Sequence, residues 1–89
     1  MYNLSISEQL NRTFKKLAQK NRAQMEIINK KLPKILENPY QVKPLRSDMF
    51  GERRVHIDSH FVLTFEIDET HKTVRLLDYD HHDVIYHDP

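Results

Sequence analysis

Three strand-like runs separated by very short connectors constrain the C-terminal half of this 89-residue chain more than any other feature. Arg53-Arg54-Val55-His56-Ile57 is followed by the turn Asp58-Ser59-His60, then by Phe61-Val62-Leu63-Thr64-Phe65-Glu66-Ile67, the turn Asp68 to Lys72, and a third run from Thr73 to Tyr79. Runs rich in β-branched and aromatic residues, bounded by turn residues, read as strands. Neighbours joined this tightly form antiparallel pairs in a meander. In the third run Val74, Leu76 and Leu77 read as buried, and Tyr79, alternating with Leu77, as core.

The N-terminal half has a different period. MYNLSI alternates Tyr2, Leu4 and Ile6 with polar residues, as a short edge strand does. Ser5 and Glu8 have capping-box spacing ahead of a helix that carries Leu10, Phe14, Leu17 and Ala18 at helical intervals, with Arg12, Lys15, Lys16 and Lys20 on the other side. Asn21 breaks that helix. A second helix follows, with Met25, Ile28, Leu32 and Ile35 on one stripe to about Asn38. Pro33 lies on this stretch and predicts a kink or a restart, with Pro33 in the first turn of a short terminal helix. Asn38-Pro39 ends the helices, and Pro44 keeps the next segment from being a central strand. The expected fold is therefore α+β, β-α-α-β-β-β, with two N-terminal helices packed on one face of a small, mainly antiparallel twisted sheet. The other face is left partly open, a natural place for a site.

Length and composition exclude much. A chain of this size buries only a little over ~60% of its unfolded surface, which predicts one domain over residues 1–89 and rules out large enzyme architectures. There is no cysteine, hence no disulfide and no thiolate metal site. No apolar run approaches a membrane span and no secretion signal precedes the first strand, so the expected location is the cytoplasm. The net charge of +1 conceals a division, since the excess of Lys and Arg lies before residue 58 and the excess of Asp and Glu after it. A basic front half points to a polyanionic partner, the plainer alternative being the solvated faces of helices.

Taken together, the helix end LENPYQVKPL, the strand GERRVHI, the strand FVLTFEID and the tail DHHDVIY resemble the RelE/ParE superfamily of bacterial and archaeal toxins, the toxin halves of type II toxin–antitoxin pairs. The pattern is most similar to the YafQ type: Lys-Pro-Leu at 43–45, R-x-x-H from Arg53 to His56, and a C-terminal histidine, His82, four residues before the aromatic Tyr86. The resemblance covers nearly the whole chain. It implies an mRNA interferase that enters the ribosomal A site and cleaves the bound codon without a metal or other cofactor. It also implies a cognate antitoxin as partner, together with mRNA and ribosomal RNA.

Carried over residue by residue, the resemblance puts Lys43 where the YafQ type has a catalytic histidine, and His56 on the strand histidine. Arg54 matches a RelE lysine. His60 stands where the YafQ type has an aspartate, and Val62 where RelE has an arginine, so one phosphate clamp is missing. His82 and Tyr86 fall on the C-terminal histidine and the aromatic that stacks on a base. The net charge is smaller than the superfamily usually carries.

The residue chemistry agrees with these roles. Cleavage by internal 2′-hydroxyl attack needs a base, an acid and cations around the phosphorus, and histidine suits proton transfer near neutral pH. His56 is the expected base and His82 the expected acid, with Lys43 and Arg54 stabilising charge. Asp78, Asp80 and Asp83 beside His81 and His82 are expected to favour their protonated forms, and His81 could share or replace the role of His82. Arg53 or Arg54 can fork onto a phosphate. Lys15, Lys16 and Lys20 can grip RNA. Three readings compete with this one: a metal site built from histidines and aspartates, a ParE-like toxin that binds DNA gyrase, and a degenerate, inactive toxin.

Overall fold

The computed structural model describes residues 1–41 and 52–81. The elements are β1 (Asn3–Ile6), α1 (Glu8–Lys20), α2 (Arg22–Glu37), a single 3-10 turn (Pro39–Gln41), β2 (Glu52–His56), β3 (Phe61–Asp68) and β4 (Thr73–His81). The expected order is present, and the fold is α+β. The segment around Pro44 lies outside the described residues.

The sheet runs β1-β4-β3-β2. β2, β3 and β4 are antiparallel neighbours, as their short connectors require. β1 lies at an edge and pairs with β4 in parallel, which the long connection through two helices permits. Both helices cover one face. Leu10 and Phe14 of α1 and Ile28 and Ile35 of α2 meet Leu63 and Phe65 of β3 and Val74, Leu76 and Tyr79 of β4 in one core. Burying each large side chain contributes about 1.5–3 kcal/mol. The opposite face is not bare at its centre, because Val62 and Thr64 are also buried although they point away from the helices.

One irregularity decides which residues of β4 face which way. Thr64 pairs with Asp78 but Phe65 pairs with Leu76, so Leu77 is an extra residue in the ladder. A one-residue shift exchanges the two faces. Before it Val74 and Leu76 point to the helices; after it Tyr79 does, while Asp78 and Asp80 point away. Leu77 is 36% exposed and Tyr79 9%, so the pairing of these two in the core is corrected for Leu77 and holds for Tyr79.

Two helix expectations are also corrected. The cap of α1 is Ser7, whose hydroxyl accepts from the Leu10 N–H at 3.1 Å, and not Ser5, which is spent in the β1–β4 ladder opposite Arg75. Helix α2 passes through Pro33 without restarting. Pro33 removes one backbone hydrogen bond, but Ile28 and Ile35 are anchored in the core on either side and Leu32 and Leu36 pack against it, which outweighs that loss. Asn21 ends α1 and caps α2 through its side-chain oxygen, which accepts from Gln24 N–H at 3.2 Å.

Ser7→Ala should lower unfolding free energy by about 1 kcal/mol in a urea titration, the usual loss of a helix cap, with Ser5→Ala costing clearly less. The reverse order would return the cap to Ser5.

Candidate functional site

Strand alternation puts Arg54 and His56 on the face away from the helices. The register extends them into two rows, Arg54–Thr64–Asp78 and His56–Val62–Asp80. His56 is exposed and Arg54 half-buried. The outer rows of this face, at the far end of β3 and β4, carry Arg75 with Glu66 at 2.5 Å and Asp68 at 3.3 Å, so that arginine is already held by carboxylates. Val62 is a fully buried apolar side chain between the His56 and Asp80 positions.

Arg53 points to the other side. Its guanidinium lies over the Tyr40 ring, 5.3 Å from the centroid, so Arg53 and Arg54 leave β2 in opposite directions. Lys15, Lys16 and Lys20 are exposed on α1, in the helix layer across the sheet from Arg54 and His56.

His60 and His81 are brought together. Their rings stack with centroids 5.8 Å apart and planes 13° apart. Phe61 meets His81 edge-on at 5.6 Å and stacks on Tyr79 at 5.4 Å, and Tyr79 in turn meets Phe14 edge-on at 5.9 Å. An aromatic column thus runs from the α1 core contact out to exposed His60. Its presence places the His81 ring on the helix side of the sheet, opposite the face that carries His56. One oxygen of Asp80 accepts from the His81 backbone N–H at 2.8 Å, and its strand position belongs to the His56 row.

The turn between β2 and β3 is fixed by Asp58. One carboxylate oxygen accepts from the backbone N–H of His60 at 2.7 Å and of Phe61 at 2.8 Å; the other accepts from the side chain of buried Gln24 at 2.7 Å. These donors hold the Asp58 carboxyl below its ordinary range, the His60 N–H contributing most. In the sequence Asp58 reads as a turn residue; its spacing to two following N–H groups is a local signal, whereas its link to Gln24 is a long-range contact. Tyr79 has a buried hydroxyl without a hydrogen-bond partner among the described residues, and burial, with Asp58 and Asp80 adding to it, pushes its pKa up to about 12.

Lys43, His82, Asp83 and Tyr86 lie outside the described residues. Among the described residues no three His, Asp or Glu side chains gather as a metal site. No described helix is long and apolar enough to cross a membrane.

No family model matches the chain. An uncharacterized protein of Methanosarcina mazei is 55% identical over 86 residues, spanning 97% of this chain and all of that protein. A toxin candidate of Methanocaldococcus jannaschii named RelE4 is 42% identical over 86 residues, 97% of this chain and 92% of its own. The RelBE2 toxin–antitoxin complex of Mycobacterium tuberculosis contains a chain 26% identical, with a TM-score of 0.67 over 90% of this chain and 96% of that one. YafQ of E. coli has the same fold at 24% identity, with a TM-score of 0.65 over 97% of this chain and 99% of its own.

Asp58→Ala should cost about 1–3 kcal/mol in unfolding free energy, because it strands the buried Gln24 amide donor. Since the Asp58 pKa is lowered by folding, its contribution is complete above the ordinary carboxylate pKa of about 4 and disappears as pH falls through the folded value. The wild-type to Asp58→Asn stability difference, measured by denaturation from pH 7 to pH 2, should therefore be level at neutral pH and shrink in acid. Tyr79→Phe should be neutral or stabilising by up to about 1 kcal/mol, since it deletes a buried hydroxyl that has no partner among the described residues.

Proposed function

Because the chain belongs to the RelE/ParE superfamily of toxin–antitoxin toxins, we propose that it is an mRNA endoribonuclease that inhibits translation by cutting the codon in the ribosomal A site. The observation that supports this most is the common projection of Arg54 and His56, at i and i+2, from the sheet face away from the helices. In this reading residues 1–89 form a single RelE-like domain acting in the cytoplasm without a metal or other cofactor, and an antitoxin is its partner.

The chemistry follows from the groups. His56 accepts the proton of a ribose 2′-hydroxyl, the freed oxygen attacks the adjacent phosphorus, and the bond from phosphorus to the 5′-oxygen breaks. A protonated group must then return a proton to the departing oxygen. His82 takes that role by resemblance, Lys43 and Arg54 stabilise the phosphorane charge, and Tyr86 stacks on a base. Fixed cations of this kind commonly supply about 3 kcal/mol of transition-state stabilisation. The exposed α1 lysines Lys15, Lys16 and Lys20 reach RNA outside the reacting centre, and Arg53, stacked on Tyr40, lies across the sheet from it.

In a translating extract, primer extension should reveal cuts within A-site codons, unchanged when the protein is stripped of metal with chelator and dialysed before it is added, and His56→Gln should slow them by about 10²–10⁴-fold, the usual worth of a positioned proton-transfer group. The pH–rate profile of His56→Gln should lose its acidic limb, and that of His82→Gln its alkaline limb. Absence of cutting together with inhibition of DNA supercoiling would instead assign a gyrase-binding toxin, and inactivity in both assays a degenerate one.

A further inference from the structure

We propose that the stacked His60–His81 pair is a nucleobase platform, receiving one unstacked base of single-stranded RNA on the exposed face of the His60 ring. The proposal rests on the reading of the chain as an RNA-cutting protein and adds a base-binding position distinct from Tyr86.

Three observations carry it. First, His60 is exposed, yet its ring lies nearly parallel to that of His81, which is steadied by Phe61 at its edge and, through Phe61, by buried Tyr79. An exposed ring backed by such a column is already ordered, so less side-chain freedom is lost on binding. Second, the backbone of His60 is clamped by Asp58, which is itself tied to buried Gln24 of α2. Third, His60 lies in the three-residue turn that begins after His56 and Ile57, at the end of the sheet where the Phe61–His81 pair is one step from the His56–Val62 pair. An RNA strand with its phosphate at His56 can pass round this end and lay a neighbouring base on His60.

Histidine is among the rings on which unstacked RNA bases rest, and every base offers a π-face, so the platform recognises single-stranded RNA in general. Stronger stacking favours a purine. His60 is then a positioning residue for RNA and not a proton carrier, and the substitution of histidine for the aspartate of the YafQ pattern supplies a stacking surface where a carboxylate offers none.

The test uses an mRNA with 2-aminopurine in the A-site codon, made uncleavable by 2′-O-methylation, on programmed ribosomes and as a free oligoribonucleotide. Fluorescence should be quenched by the wild type and by His60→Phe and not by His60→Ala. On cleavable mRNA, His60→Ala should raise KM by about 5- to 150-fold, the range for one base–aromatic stack, with a smaller change in kcat, and His60→Phe should restore it. No quenching by the wild type, or His60→Phe as defective in kcat as His60→Ala, would overturn the platform. Cutting by the wild type that His60→Ala leaves unchanged would also overturn it while leaving the nuclease reading in place. Quenching without cutting would uphold the platform and remove the nuclease.

Discussion

The extra residue at Leu77 is the constraint on which the rest of the molecule depends. β4 is the strand that touches β1, β3 and α1, and its sequence TVRLLDYDH has two adjacent leucines before an aspartate-rich end. In a regular strand one phase would hold throughout, and Asp78 and Asp80 would follow Val74 and Leu76 into the core. The bulge exchanges the faces between Leu76 and Asp78. It keeps two carboxylates out of the apolar layer, where each would need a partner, and sends Tyr79 inward to meet Phe14 and Phe61.

The arrangement at the end of the sheet that carries His56 and His60 follows from that exchange. With Tyr79 inward, Phe61 has a ring to stack on, His81 has Phe61 at its edge, and His60 has His81 beneath it. With Asp78 and Asp80 outward, the face bearing Arg54 and His56 gains an acidic border on its far strand. The sheet thus separates two kinds of surface at one end. One presents ionisable groups suited to phosphate and proton chemistry, and the other an aromatic column that ends in solvent. Asp58 ties the two together, because the turn it closes lies between His56 and His60.

Periodicity made much of this legible. The alternation of MYNLSI, the helical stripe through Ile28 and Ile35, and the short turns of the meander each record a local rule, and each element formed where its rule placed it. The common face of Arg54 and His56 was legible for the same reason, since two-residue spacing on a strand is local. What escaped was decided by competition or by distance. Ser5 and Ser7 are both capping residues, and the ladder with β4 claimed Ser5. Pro33 is a helix breaker whose effect was outweighed by core residues on either side. The bulge at Leu77 and the meeting of His60 with His81 depend on pairing between strands, and no spacing within one strand reveals them.

The placement of Arg54 and His56 has its full meaning only if the chain cuts RNA by internal attack, which fixes the chemistry of the ends it leaves. The decisive measurement is therefore the identity of the termini produced on ribosome-bound mRNA when the purified protein is added, read by mass spectrometry and by end-specific labelling. A 2′,3′-cyclic phosphate or its opened phosphate on one fragment, with a 5′-hydroxyl on the other, is the predicted result. A 3′-hydroxyl with a 5′-phosphate would contradict it, because that product requires an attacking water and not the ribose hydroxyl.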